Sequence, residues 1–175
     1  MVKQLDVKTL SVAIRFLRTK SLEQRAVVGF DTHYSEEYLE ECIGPNTRRA
    51  ILYQQEYVKG ISAIGMQSNY GFEGQLNTCW THKMTQIEIE LICSAGFLVS
   101  VIHGRQDIFA QIYYARRLAE KLHPVARMIE IHGGHLVSYE RTEEVNQAIL
   151  ELIKASEVSF NPNEWTNLPK KKSED

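Results

Sequence analysis

The strongest constraint on this chain is a strand–helix–strand–helix order running from Phe97 to Ile153. Phe97-Leu98-Val99-Ser100-Val101-Ile102 is a nearly continuous apolar run, rich in β-branched residues and bounded by glycines. Such a run predicts a strand covered on both faces. Residues 109–122 place Ile112, Ala115, Leu118, Ala119 and Leu122 on one stripe, which predicts an amphipathic helix, and Pro124 stops it. Arg127 to Ile131 predicts a second strand. Thr142 has the chemistry of an N-cap for a last helix, with Glu143 and Glu144 complementing its dipole. Val145, Ala148, Ile149, Leu152 and Ile153 would form the apolar face of that helix. Two strands joined through a helix must run parallel, with a right-handed crossover. The expected fold class is therefore α/β, built on two parallel strands.

Residues 1–95 read differently, with helical signals and almost no strand signal. Leu10, Ala13, Ile14 and Leu17 share one helical face. Ser35 followed by Glu36 and Glu37 predicts a helix start, with Tyr38, Leu39, Cys42 and Ile43 as its apolar face. Gly44-Pro45-Asn46 should break it. Arg48 to Lys59 predicts a further helix with Ile51 and Val58 inward, and Gly60 to Thr78 reads as loop. Thr85-Gln86-Ile87-Glu88 has the spacing of a capping box and should open a short helix ending near Ser94-Ala95-Gly96. Three segments result: a helical region 1–95, a β-α-β-α unit 96–156, and a polar tail 157–175 expected to be solvated or loosely docked. There is no internal repeat.

Composition excludes more than it assigns. The chain has 175 residues, enough for one ordinary domain, and a formal charge of −2. That charge makes no electrostatic case for nucleic acid. No apolar run approaches the roughly 20 residues of a membrane span, and the basic N-terminus lacks an apolar signal core. The expectation is a cytoplasmic protein. Cys42, Cys79 and Cys93 are scattered and odd in number, which predicts free thiols. Arg48-Arg49 and Arg116-Arg117 read as solvated helix faces. Tyr53, Tyr57, Tyr70 and Phe72 are expected to pack between helices and loop, with lining of a substrate pocket as the alternative.

Two segments carry chemistry: Val101-Ile102-His103-Gly104-Arg105-Gln106-Asp107 and Ile129-Glu130-Ile131-His132-Gly133-Gly134-His135. Each is a buried-type strand entering a glycine-containing loop with an ionisable residue. Ligands of open α/β sheets sit beyond the carboxyl ends of the strands, so Asp107 and His135 should occupy neighbouring loops there. A carboxylate accepting from one imidazole nitrogen fixes the tautomer and leaves the other nitrogen as a base. His132, His135 and His103 also raise the possibility of a metal, but His132 and His135 lie in a strand-to-turn segment with no third ligand fixed nearby. Zinc needs three or four convergent ligands, so no metal site is expected.

This strand–HGxxD–helix–strand–GGH–helix order resembles the closing half of the α/β-hydrolase superfamily, whose triad runs serine, acid, histidine. The stretch from Gly133 to Arg141 and the helix after it look like plant members of that superfamily, and the helical region 1–95 resembles the cap between its two halves. The resemblance implies His135 as general base and Asp107 as the carboxylate that orients it. It implies a small ester-like or other carbonyl substrate and no cofactor. The family's G-x-S-x-G nucleophile elbow is missing. The nearest approach, Gly60-Ile61-Ser62-Ala63-Ile64-Gly65, has its second glycine one position late and follows a helix. Ser68, Ser94, Ser100 and Ser138 also lack elbow context. The strands that precede the cap in the family, and its oxyanion donors, are missing too. The expectation is a partial hydrolase fold in a shortened chain. It would keep the acid and histidine, lack a nucleophile and be inactive as it stands. The alternative is a non-catalytic remnant that binds a small ligand or a protein partner.

Overall fold

The computed structural model describes residues 11–12, 14–15, 18–61, 68–158 and 161–167. Most of the first predicted helix (Leu10, Ala13 and Leu17) lies outside them, as do Ser62, the side chains of Phe72 and Cys79, and Lys170 to Lys172. The architecture is mixed α/β around a two-stranded parallel sheet. Among the described residues no helix is long and apolar enough to cross a membrane.

The sheet pairs β3 (Val99–Gly104) with β4 (Ala126–Ile131) in parallel, Val99 opposite Ala126 and Gly104 opposite Ile131. Strand periodicity sorts their side chains onto two faces. Val99, Val101 and Ala126 join Ile89, Leu118, Leu122 and Val125 on one side. Ile102, Ile129 and Ile131 join Val137 and Val145 on the other. Each face therefore has a cover, as the apolar runs predict. The strand itself is only half-buried over Val99–His103, because a two-stranded sheet leaves both of its edges unpaired.

The crossover helix α6 (Ile112–Lys121) and the last long helix α8 (Thr142–Glu157) form where their apolar stripes predict. Two details of α8 differ. Thr142 is its first helical residue, not its cap, and its hydroxyl donates back to Ser138 O at 2.8 Å. Val145 and Ala148 are buried, whereas Ile149 and Ile153 are exposed, because nothing in the described chain covers that outer edge. The tail is also corrected. α9 (Pro162–Asn167) docks firmly: Trp165 is 0% exposed, donates Nε1–H to Val99 O at 3.0 Å and lies under the Arg127 guanidinium.

The N-terminal region is helical, with several corrections. α1 (Leu22–His33), capped by Ser21, has no counterpart in the sequence prediction. α2 (Glu36–Glu40) is capped by Ser35 as predicted and buries Leu39, 1% exposed. It ends early, and Cys42 and Ile43 belong to an exposed two-residue strand, β1, paired with β2 (Asn46–Thr47) around Gly44-Pro45. Gly44, at φ +61°, makes the tight turn between these two strands. The predicted helix at Arg48 splits into α3 (Arg48–Leu52) and a π-helix, Tyr53–Ile61, with Val58 exposed. Within the segment read as loop, Ser68 caps α4 (Asn69–Thr81). The capping box Thr85–Glu88 forms as its spacing predicts and opens α5 (Gln86–Ser94). Arg48 and Arg49 are not merely solvated. Arg48 pairs with Glu41 and covers Tyr38; Arg49 pairs with Asp31 and Glu40. Arg116 makes a bidentate pair with Glu130.

Candidate functional site

The site is made by two loops that approach closely beyond the carboxyl ends of β3 and β4. Arg105 N–H donates to Ile131 O at 2.8 Å, and Gln106 N–H donates to Gly133 O at 2.9 Å. Glycines permit this. A Cβ on Gly104 would stand 2.1 Å from Gly134 O and 2.6 Å from Gly133 O. A Cβ on Gly134 would meet His33 O at 2.9 Å and the Glu140 carboxylate at 2.9 Å. The glycines in both sequence segments are thus the condition for bringing Asp107 to His135.

Asp107 is buried and its carboxylate is fully used. Oδ1 accepts from Phe109 N–H at 2.8 Å and Ala110 N–H at 2.9 Å, an Asx-type turn that shapes its own loop. Oδ2 accepts from His135 Nδ1 at 2.9 Å. Burial pushes the Asp107 carboxyl up, but the His135 hydrogen bond, the Ala110 N–H and the imidazole's charge outweigh it, and its pKa falls below the ordinary value. His135 moves the other way. The bond to Asp107 raises its pKa above the ordinary histidine value, against burial and with added attraction from the carboxylate's charge. With Nδ1–H committed to Asp107, Nε2 is the basic nitrogen. Among the described residues nothing hydrogen-bonds to it, and the side chain is 38% exposed.

The other histidines divide differently. His103 Nε2 donates to Ala110 O and stands 3.6 Å from Asp107 Oδ2, so it props the Asp107 loop. His132 Nε2 pairs with Glu37 at 2.7 Å, away from His135. Among the described residues no group of three His, Cys, Asp or Glu is arranged to hold a metal ion.

Three site residues were given no role by the sequence: His33, Phe109 and Glu140. His33, the last residue of α1, sets its ring 5.8 Å from that of His135, and Phe109 lies 5.3 Å from both. Glu140 is buried beneath the loop. It accepts from Gly134 N–H at 2.8 Å, Ser35 N–H at 2.9 Å and Ser35 Oγ–H at 2.5 Å. Leu136 N–H adds a bond to His33 O at 2.8 Å. The helical region is thereby bolted to the loop that presents His135. Glutamate inside a short helix carries no signal for such a role; only the packed partner reveals it.

The serines stand elsewhere. Ser35 is held by Glu140 and caps α2, Ser68 caps α4, and Ser94 donates to Leu91 O. Ser100 lies within β3, and Ser138 lies in α7 (Val137–Glu140). Ser62 is outside the described residues. Tyr53 and Tyr57 stack at 5.0 Å and Tyr57 also lines a cavity, whereas Tyr70 is exposed. Cys42 and Cys93 are free thiols.

An acid–imidazole pair of this geometry can accept a proton from a neighbouring hydroxyl, thiol or water and stabilise the imidazolium that results. Comparison with known proteins finds no matching family model, no matching curated protein and no matching solved structure.

Proposed function

We propose that this chain represents the cap and closing portion of a serine-type α/β-hydrolase, keeping the triad's acid and histidine without its nucleophile. The observation that carries this reading is the 2.9 Å bond from His135 Nδ1 to Asp107 Oδ2 at the carboxyl edge of a parallel β-α-β unit. In a complete site an elbow serine would attack a carboxylic ester or similar carbonyl. His135 would take its proton through Nε2, and Asp107 would hold the imidazole in register. Here the base has only water to activate. Without oxyanion donors a tetrahedral intermediate forfeits roughly 3–4 kcal/mol per missing donor. The 175 residues by themselves are therefore expected to be inactive.

Hydrolysis of a generic aryl ester by the purified chain tests this. The expected rate equals that of His135→Ala. Turnover that His135→Ala abolishes would overturn the inactive reading. The lineage has its own test in the in-frame coding sequence upstream of Met1. A G-x-S-x-G segment following a strand pattern is expected there, and its absence would count against the lineage. A second reading, a non-catalytic binding protein, is favoured by the cavity beside His33.

A further inference from the structure

Between α1, the π-helix and the loop behind His135 lies a cavity of about 300 Å³, a volume at the lower end of small-molecule sites. It is open to solvent on one side, and its lining is largely aromatic, from Phe30, Tyr34 and Tyr57, with Leu136 beside them. Its polar lining is one-sided. Among the described residues, Glu56 is its only acidic or basic side chain besides His33, and no lysine or arginine lines it. Tyr34 Oη donates to Glu56 Oε1 at 3.0 Å, which holds the carboxylate against the aromatic wall. Burial, that bond and the charge of Glu56 push the Tyr34 phenol well above its ordinary pKa, so it remains a neutral donor. His33 Nδ1 faces Gly29 O at 2.6 Å, and a carbonyl only accepts, so Nδ1 carries a proton and Nε2 is the ring nitrogen left for a ligand.

The space therefore presents π faces, one carboxylate and one imidazole nitrogen. An anionic ligand would meet Glu56 with no cation to balance it. A wholly apolar ligand would cover that carboxylate without a partner, which is costly. An organic cation suits the π faces and the carboxylate, since an ammonium is drawn to both. We propose that this cavity binds a small organic ammonium ion, its charge placed between Glu56 and the rings of Tyr34 and Tyr57. Such binding needs neither Asp107 nor His135 and stands apart from ester hydrolysis.

The test is a ligand-observed NMR titration of the full chain with choline and with 3,3-dimethyl-1-butanol, its uncharged isostere. Choline is expected to saturate, with the isostere binding at least tenfold more weakly. Glu56→Gln still accepts from Tyr34 but lacks the charge, and should weaken choline at least fivefold. Tyr57→Leu, which keeps an apolar wall but removes a π face, should do the same, and His135→Ala should leave choline binding intact. Equal affinity for the two ligands, no saturable choline binding, or choline affinity unaltered in folded Glu56→Gln and Tyr57→Leu would overturn the assignment.

Discussion

Asp107 divides its two oxygens between two tasks. One shapes its own loop through Phe109 and Ala110, and the other holds His135. The opposed pKa shifts set a pH window. Asp107 is lowered, so its contribution to stability is present above its unfolded pKa of about 4 and is lost as pH falls through the folded value. His135 is raised, so its contribution is complete below about pH 6.5 and is lost as pH rises through the folded value. The pair therefore stabilises the fold most between roughly pH 4 and 6.5. Asp107→Asn should return the His135 pKa toward or below the ordinary value, read from the imidazole NMR resonances. An unmoved titration would show that the pair does not form in solution. Glu140 offers a second test. Glu140→Ala leaves the N–H groups of Ser35 and Gly134 buried without an acceptor, at roughly 1–3 kcal/mol each. Urea denaturation should show a loss on the order of 3 kcal/mol, together with a shifted His135 resonance as its loop loosens.

At the scale of elements, the most legible pieces were those whose order depends on local chemistry. The capping box at Thr85–Glu88 and the stripe of α6 need only neighbours three or four residues away. α1 was missed because its sequence, LEQRAVVGFDTH, has no strong apolar stripe; Phe30 and Thr32 are buried by what packs on them. The β1–β2 ribbon was misread as helix face because Cys42 and Ile43 continue the helical spacing beyond Glu40, where the helix has already ended and Glu41 turns the chain into the ribbon. α9 is the sharpest case. A polar tail conceals one tryptophan that fills the sheet's end and returns its N–H to Val99. Trp165→Ala should cost about 3–5 kcal/mol, measured by chemical denaturation; a change below about 1 kcal/mol would mean that α9 does not dock.

For the whole molecule, two parallel strands are few for a sheet that such folds bury between layers. Large apolar side chains stay in water on several faces, among them Ile87 at 70% and Leu91 at 63% exposure on α5, and Phe97 at the entrance to β3. Three small apolar clusters stand where one larger core would serve better. Marginal stability follows. Thermal denaturation followed by circular dichroism should show a broad transition with a midpoint below about 45 °C, the lower end for ordinary domains, and the native chain should bind a hydrophobic dye. A sharp transition well above that temperature, without dye binding, would contradict this picture.

Periodicity, glycine placement and strand-ending loops determined, from the sequence alone, the parallel β-α-β unit and the loops that carry Asp107 and His135. These depend on short-range rules that every residue obeys in place. Only the tertiary structure decided that His33 stands beside His135, that Glu140 bolts the helical region to the histidine's loop, that α9 docks through Trp165, and that Glu56 and three aromatic rings line one open cavity. Those contacts join residues up to 105 positions apart. Their energies come from burial and from hydrogen bonds sealed away from water, and no local pattern encodes which distant partner will supply them.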